Sequence, residues 1–173
     1  HGHSRGVNCI HSGPTWFVSG GTEGEIRVWQ HLTQEQDPRY KRVKCIQRLK
    51  GHGCKVTVAK YGKLEIISGD ANGFVIVWWL KTGQIVQKCK AHDGPITDLQ
   101  FDATKIVTSG VDCNLQLIDI TTGDVLQTLR GHEGPVVGLA FDTMQILSAS
   151  SDGTLRHWEW GTGGSKPDKL HVY

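Results

Sequence analysis

The chain has 173 residues, of which 38% are apolar and 21% charged, and its mean hydropathy is −0.30. That composition suits a soluble globular protein, and no apolar run approaches the ~18 residues a membrane helix needs. Nineteen Lys and Arg against 17 Asp and Glu leave a net charge of +2, so no global field argues for nucleic acid or a membrane surface.

Read from the N-terminus, a histidine recurs with a fixed companion. His3, His52, His92 and His132 are each followed 26 residues later by Trp29, Trp78, Ile118 and Trp158, and successive histidines lie 49, 40 and 40 residues apart. Self-similarity at this period means stacked supersecondary units. In the first unit a strand places Ile26 and Val28 on one face, with Arg27 and Trp29 on the other. Next comes the nine-residue expansion, within Gln30–Arg42, which is polar, contains Pro38 and lacks strand alternation. It is expected to be a solvated loop. The strand Cys45–Leu49 follows. Gln30–Lys50 carries Arg39, Lys41, Arg42, Lys44, Arg48 and Lys50 against Glu35 and Asp37. A contact element for an acidic partner is therefore the functional alternative.

The second unit repeats the strand with Val75 and Val77, then Trp78 and Trp79. The third gives strands Ile96–Phe101, Lys105–Ser109, Asn114–Asp119 and Asp124–Leu129. The fourth gives Val136–Phe141, Gln145–Ala149, Thr154–Glu159 and Asp168–Tyr173. Strands of about five or six residues with turn signals between them predict an all-β architecture. Both faces carry large apolar residues, so each sheet should be covered by its neighbours. Five cysteines, Cys9, Cys45, Cys54, Cys89 and Cys113, form no C-x-x-C pair. They read as free thiols in an intracellular compartment, cytoplasmic before nuclear or ciliary. A chain opening on His1 reads as trimmed.

Gly2-His3, Gly51-His52, Ala91-His92 and Gly131-His132 are matched by Trp29-Gln30, Trp78-Trp79, Ile118-Asp119 and Trp158-Glu159. Four such pairs in register resemble the WD-repeat β-propellers over essentially the whole chain. The resemblance implies blades of four antiparallel strands, at about 2–50, 51–90, 91–130 and 131–173. It further implies a structural tetrad in each blade: His3, Ser19, Glu23 and Trp29; His52, Ser68, Asn72 and Trp78; His92, Thr108 and Asp112, with Ile118 in place of tryptophan; His132, Ser148, Asp152 and Trp158. Ser148, Asp152 and His132 could suggest a hydrolase triad. An enzyme needs one such site, whereas a hydrogen-bond brace needs a copy in every blade, so no catalytic residue, metal site or cofactor is expected.

Family propellers typically close with about seven blades, so four predict an open arc or a fragment of a larger ring. The missing blades would come from the same or another chain. The loops of one ring face would present Ser4 and Arg5, Lys55, Asp70, Asp93, Val111, Glu133 and Ser151 to partners, with Gln30–Arg42 on the opposite face. Their mixed charge disfavours a phosphate track. Trp79 reads either as an exposed anchor or as buried beneath the following strand. His157 replaces the aliphatic of Val28, Val77 and Leu117, which fits a more polar neighbour or a partner contact. The function implied is a non-enzymatic protein–protein interaction scaffold. Alternatives are the substrate-recognition propeller of a ubiquitin-ligase adaptor, whose short turns resemble Phe101–Thr104 and Phe141–Met144, or an architectural subunit of a cytoskeletal, ciliary or ribonucleoprotein assembly.

Overall fold

Runs of five or six residues with alternating apolar positions satisfy their backbone groups only by pairing with neighbours. The computed structural model describes residues 2–13, 15–34, 37–142, 145–160 and 167–173, and in these the pairing produces four separate antiparallel sheets. The first contains β1 (Val7–Ser12), β2 (Trp16–Gly21), β3 (Glu25–Gln34) and β4 (Asp37–Lys50). The second contains β5 (Val56–Tyr61), β6 (Glu65–Asp70), β7 (Phe74–Trp79) and β8 (Ile85–Lys90). The third contains β9 (Ile96–Phe101), β10 (Lys105–Gly110), β11 (Leu115–Asp119) and β12 (Val125–Leu129). The fourth contains β13 (Val136–Phe141), β14 (Gln145–Ser150), β15 (Leu155–Trp160) and β16 (Pro167–Val172). Each sheet is a simple meander, paired in chain order.

The apolar alternation decides how the sheets stack. Val18, Ile26, Val28 and Leu49 of the first sheet pack against Val56, Ala59, Ile66, Ile76 and Trp78 of the second. The opposite face of the second, with Val58, Ile67, Val75 and Val77, meets Ile96, Leu99, Ile106 and Ile118. Val107, Leu115, Leu117 and Leu129 meet Val136, Leu139, Ile146 and Trp158 at the third junction. Each fully buried Ile or Leu in these layers contributes roughly 1.5–3 kcal/mol. Polar links cross the same junctions: Asn8 Nδ2 donates to the Val56 carbonyl at 2.9 Å, and Lys60 Nζ to Asp98 at 3.0 Å. Asp98 Oδ2 also accepts the Leu139 N–H at 3.2 Å. The result is an arc of four blades, open at its first and last sheets.

The expansion after Trp29 departs from expectation, because Gln30–Arg42 is not a loop. β3 continues to Gln34 and β4 begins at Asp37, with His31 opposite Val43, Leu32 opposite Arg42 and Thr33 opposite Lys41. Alternation appears in a strand when one of its faces is buried. Leu32 and Val43, on the two strands of this ribbon, are both exposed, so burial imposes no period on them. Pro38 is no obstacle either, since outer edge strands are where sheets tolerate proline.

One turn position recurs with a left-handed backbone: Gly24, Gly73 and Gly153 have φ between 79° and 85°, and Cys113 occupies the equivalent place at φ 66°. A Cβ is disfavoured there by its own carbonyl. Cys113→Gly should therefore raise the unfolding free energy by about 0.5–1 kcal/mol, the strain relieved outweighing the entropy glycine adds to the unfolded chain. A higher urea midpoint at unchanged m-value is the expected reading, and a lower one would contradict it.

Candidate functional site

The polar constellations lie at one end of each blade, where the histidine entry, the end of the second strand and the following turn converge. In the second blade, the Trp78 Nε1–H donates to Ser68 Oγ at 2.8 Å, and Ser68 Oγ lies 2.7 Å from His52 Nε2. His52 Nδ1 lies 2.7 Å from Asp70 Oδ2. A hydroxyl that accepts from the indole can donate to the imidazole, which leaves the other ring nitrogen as donor to the carboxylate. The wiring thus assigns a neutral Nδ1–H tautomer. The first blade has the same chain: Trp29 to Ser19 at 2.8 Å, Ser19 to His3 at 2.7 Å, His3 to Glu23 at 2.6 Å. The fourth joins Trp158, Ser148, His132 and Asp152 at 2.9, 2.8 and 2.9 Å. In the third, His92 meets Thr108 at 2.9 Å and Asp112 at 2.9 Å. Ile118 offers that threonine no donor.

Burial pushes the His52 and His92 imidazoles below their ordinary range, and the attraction of Asp70 and Asp112 offsets this only in part. Burial alone would raise the Asp112 carboxyl. His92 and the backbone N–H groups of Asp93 and Asn114 outweigh it and hold the group low. Asp152 lies well below the usual carboxylate range for related reasons: against its desolvation stand the Thr154 hydroxyl, the N–H groups of Glu133 and Thr154, and His132. In the third blade the stable arrangement is therefore a neutral imidazole beside an ionised carboxylate.

As chemistry, the resemblance to a hydrolytic triad fails at the nucleophile. Ser148 is buried, and its oxygen already accepts the Trp158 indole while contacting His132. No substrate carbonyl could reach it without dismantling the blade. These groups brace the fold.

The second blade corrects one expected residue. Asn72 does not serve the tetrad; Asp70, two positions earlier, does. Its Oδ1 also accepts the N–H groups of Asn72 and Phe74 at 2.9 and 3.0 Å. The equivalent positions in the first and third blades are Gly21 and Gly110. A Cβ at either would come within 2.5 or 2.6 Å of the histidine Nδ1. The fourth blade carries Ser150 at that place and still takes its carboxylate from Asp152, so the carboxylate can arrive from either of two turn positions. The signal was present: an acid stands 18 residues after His52, where the first and third repeats have glycine. Asp70 is consequently buried, and its expected role in partner contact is withdrawn.

Of the other loop candidates, Arg5, Lys55, Asp93, Val111, Glu133 and Ser151 are exposed. The Asp93 and Glu133 N–H groups cap Asp112 and Asp152. Trp79 is 37% exposed, opposite Glu65 in the ladder. His157 is half-buried and satisfied within its own blade by Gln145 Oε1 at 2.7 Å. The side chains of Arg39, Lys41 and Arg42 lie outside the described residues, although their backbones run in β4. Sequence reasoning missed the ribbon to which those three belong.

Comparison with known proteins agrees with this geometry. The model of the WD domain, G-beta repeat, matches residues 1–30, 43–78, 83–119 and 123–159, interrupted at the ribbon. The crystal structure of the computationally designed Ika4 protein is similar at TM-score 0.79 and 28% identity, over 92% of this chain and 94% of that one. The computationally designed Ika8 protein is similar at TM-score 0.80 and 28% identity, over 98% and 50%. The RRP9 WD40 repeats give TM-score 0.80 at 19% identity, over 100% and 52%, a likeness of fold alone. The chain thus spans about half the length of the Ika8 and RRP9 chains. No curated protein sequence matches it.

Proposed function

The chain belongs to the WD-repeat β-propeller family, and on that premise we propose that it is a non-enzymatic interaction platform within a larger protein or multi-subunit assembly. WD repeats act in general as scaffolds for other proteins. One observation carries the finer reading: the arc ends in two apolar faces built like its interior junctions. Val7 and Ile10 are 57% and 66% exposed, whereas their equivalents in the second blade, Val56 and Ala59, are 0% and 2%. At the other end Leu147 and Leu155 are 44% and 56% exposed, against 0% for Val107 and Leu115. Apolar faces of this kind mark surfaces that another protein layer covers, here further blades of the same or another chain. The five cysteines are unpaired thiols, in keeping with the reducing compartment we infer for the protein.

Native-source purification tests the reading. The protein should be recovered in an assembly well above its own 19.1 kDa. Ile10→Asp together with Leu155→Asp should release it, while changing the stability of the isolated chain by less than about 0.5 kcal/mol per site. A monodisperse, long-lived monomer from that source would overturn it, as would turnover of a substrate.

A further inference from the structure

The free edge of β4 is, we infer, a docking strip to which an acidic, extended segment of a partner protein adds as a fifth strand of the first blade. This rests on the platform reading and gives it a site and a partner chemistry. Among the described residues, β4 is the outer strand of its sheet and pairs with β3 alone. It has 14 residues, whereas the outer strands β8, β12 and β16 of the other blades have six, five and six. A long unpaired edge presents a row of backbone N–H and C=O groups, which is the template for strand addition.

Charge then selects the strand. Asp37–Lys50 contains Arg39, Lys41, Arg42, Lys44, Arg48 and Lys50 against the single acid Asp37. Lys44, Arg48 and Lys50 are exposed. Among the described residues, the carboxylate that reaches this strand is Glu25: its Oε1 lies 3.7 Å from Arg48 Nε but 3.2 Å from Arg27 Nε, so it is shared. Lysine-rich edges repel like strands and a second copy of themselves. Acidic side chains opposite them convert that repulsion into favourable cross-strand pairs. Val43 and Ile46, exposed on the same strand, add apolar contact. A nucleic-acid backbone could meet the cations, yet it has no strand edge to offer the unpaired amides. A protein segment answers all three features.

The probe is a fluorescein-labelled peptide of sequence Glu-Thr-Glu-Val-Glu-Thr-Glu-Val, titrated into the chain and followed by anisotropy. Micromolar binding is expected, with slower amide hydrogen exchange across residues 43–50. Methylating alternate peptide nitrogens along one edge, or replacing its glutamates with lysines, should weaken binding about tenfold or more. Lys44→Glu with Arg48→Glu and Lys50→Glu should do the same. The methylated peptide leaves the protein untouched, so that arm does not depend on how the variant folds. Equal binding of the methylated peptide would reduce the contact to plain charge attraction and overturn the inference. Displacement by an equally charged oligothymidylate as readily as by unlabelled peptide would overturn the choice of a protein partner. No binding, with the native assembly intact, would sink the strip and leave the platform reading standing.

Discussion

Replacing Ser68 with alanine should lower the unfolding free energy by roughly 2–4 kcal/mol, the larger part of it from groups left without partners. The Ser68 hydroxyl is buried and stands between two others, accepting the Trp78 indole N–H at 2.8 Å and meeting His52 Nε2 at 2.7 Å. Alanine removes neither ring but strands both, in a place water does not reach. The third blade supplies the control. Thr108 Oγ1 meets His92 Nε2 at 2.9 Å, and where the other blades have tryptophan this one has Ile118, which has no ring N–H. Thr108→Val keeps the shape and strands one group, so its expected cost is about 1–2 kcal/mol. Urea unfolding of the two variants at matched m-values separates these outcomes. Equal losses would show that the hydroxyls matter by packing alone.

That contrast also shows how far a sequence of this kind can be read. The spacing of His3, His52, His92 and His132 from their downstream partners disclosed the sheet architecture, because a repeated brace must fall at one place in every repeat. The face assignments of Val28, Val77 and Leu117 were legible for a related reason: both sides of an inner sheet are buried, and burial imposes alternation. Where burial ends, so does legibility. Leu32 and Val43 lie on a ribbon exposed to solvent, and nothing required their neighbours to alternate. The carboxylate of the second blade was hidden differently. A brace needs a charge beside His52 Nδ1, and that requirement constrains a place in space rather than a place in sequence. Trp79 was readable as unusual, since Gln30, Asp119 and Glu159 occupy its position elsewhere, but its exposure depended on how the neighbouring blade packs.

Asp70→Ala should be as damaging as the loss of any polar side chain in the molecule, at roughly 3–5 kcal/mol. Asp70 holds the His52 Nδ1–H through one oxygen and the Asn72 and Phe74 N–H groups through the other. Alanine leaves a buried imidazole and the turn before β7 without their acceptor. Asn72→Ala, at an exposed side chain, should stay within about 0.5 kcal/mol of the parent. The double substitution Asp70→Gly with Asn72→Asp then tests the geometry itself. It gives the second blade the arrangement of the third, where Gly110 stands at the earlier position and Asp112 reaches His92 from two residues later. If the brace requires only a carboxylate at that point in space, the double variant regains at least half of what Asp70→Ala loses. Recovery below that share would mean that the turn of the second blade is shaped around Asp70, and that the two positions are not interchangeable ways of filling one site.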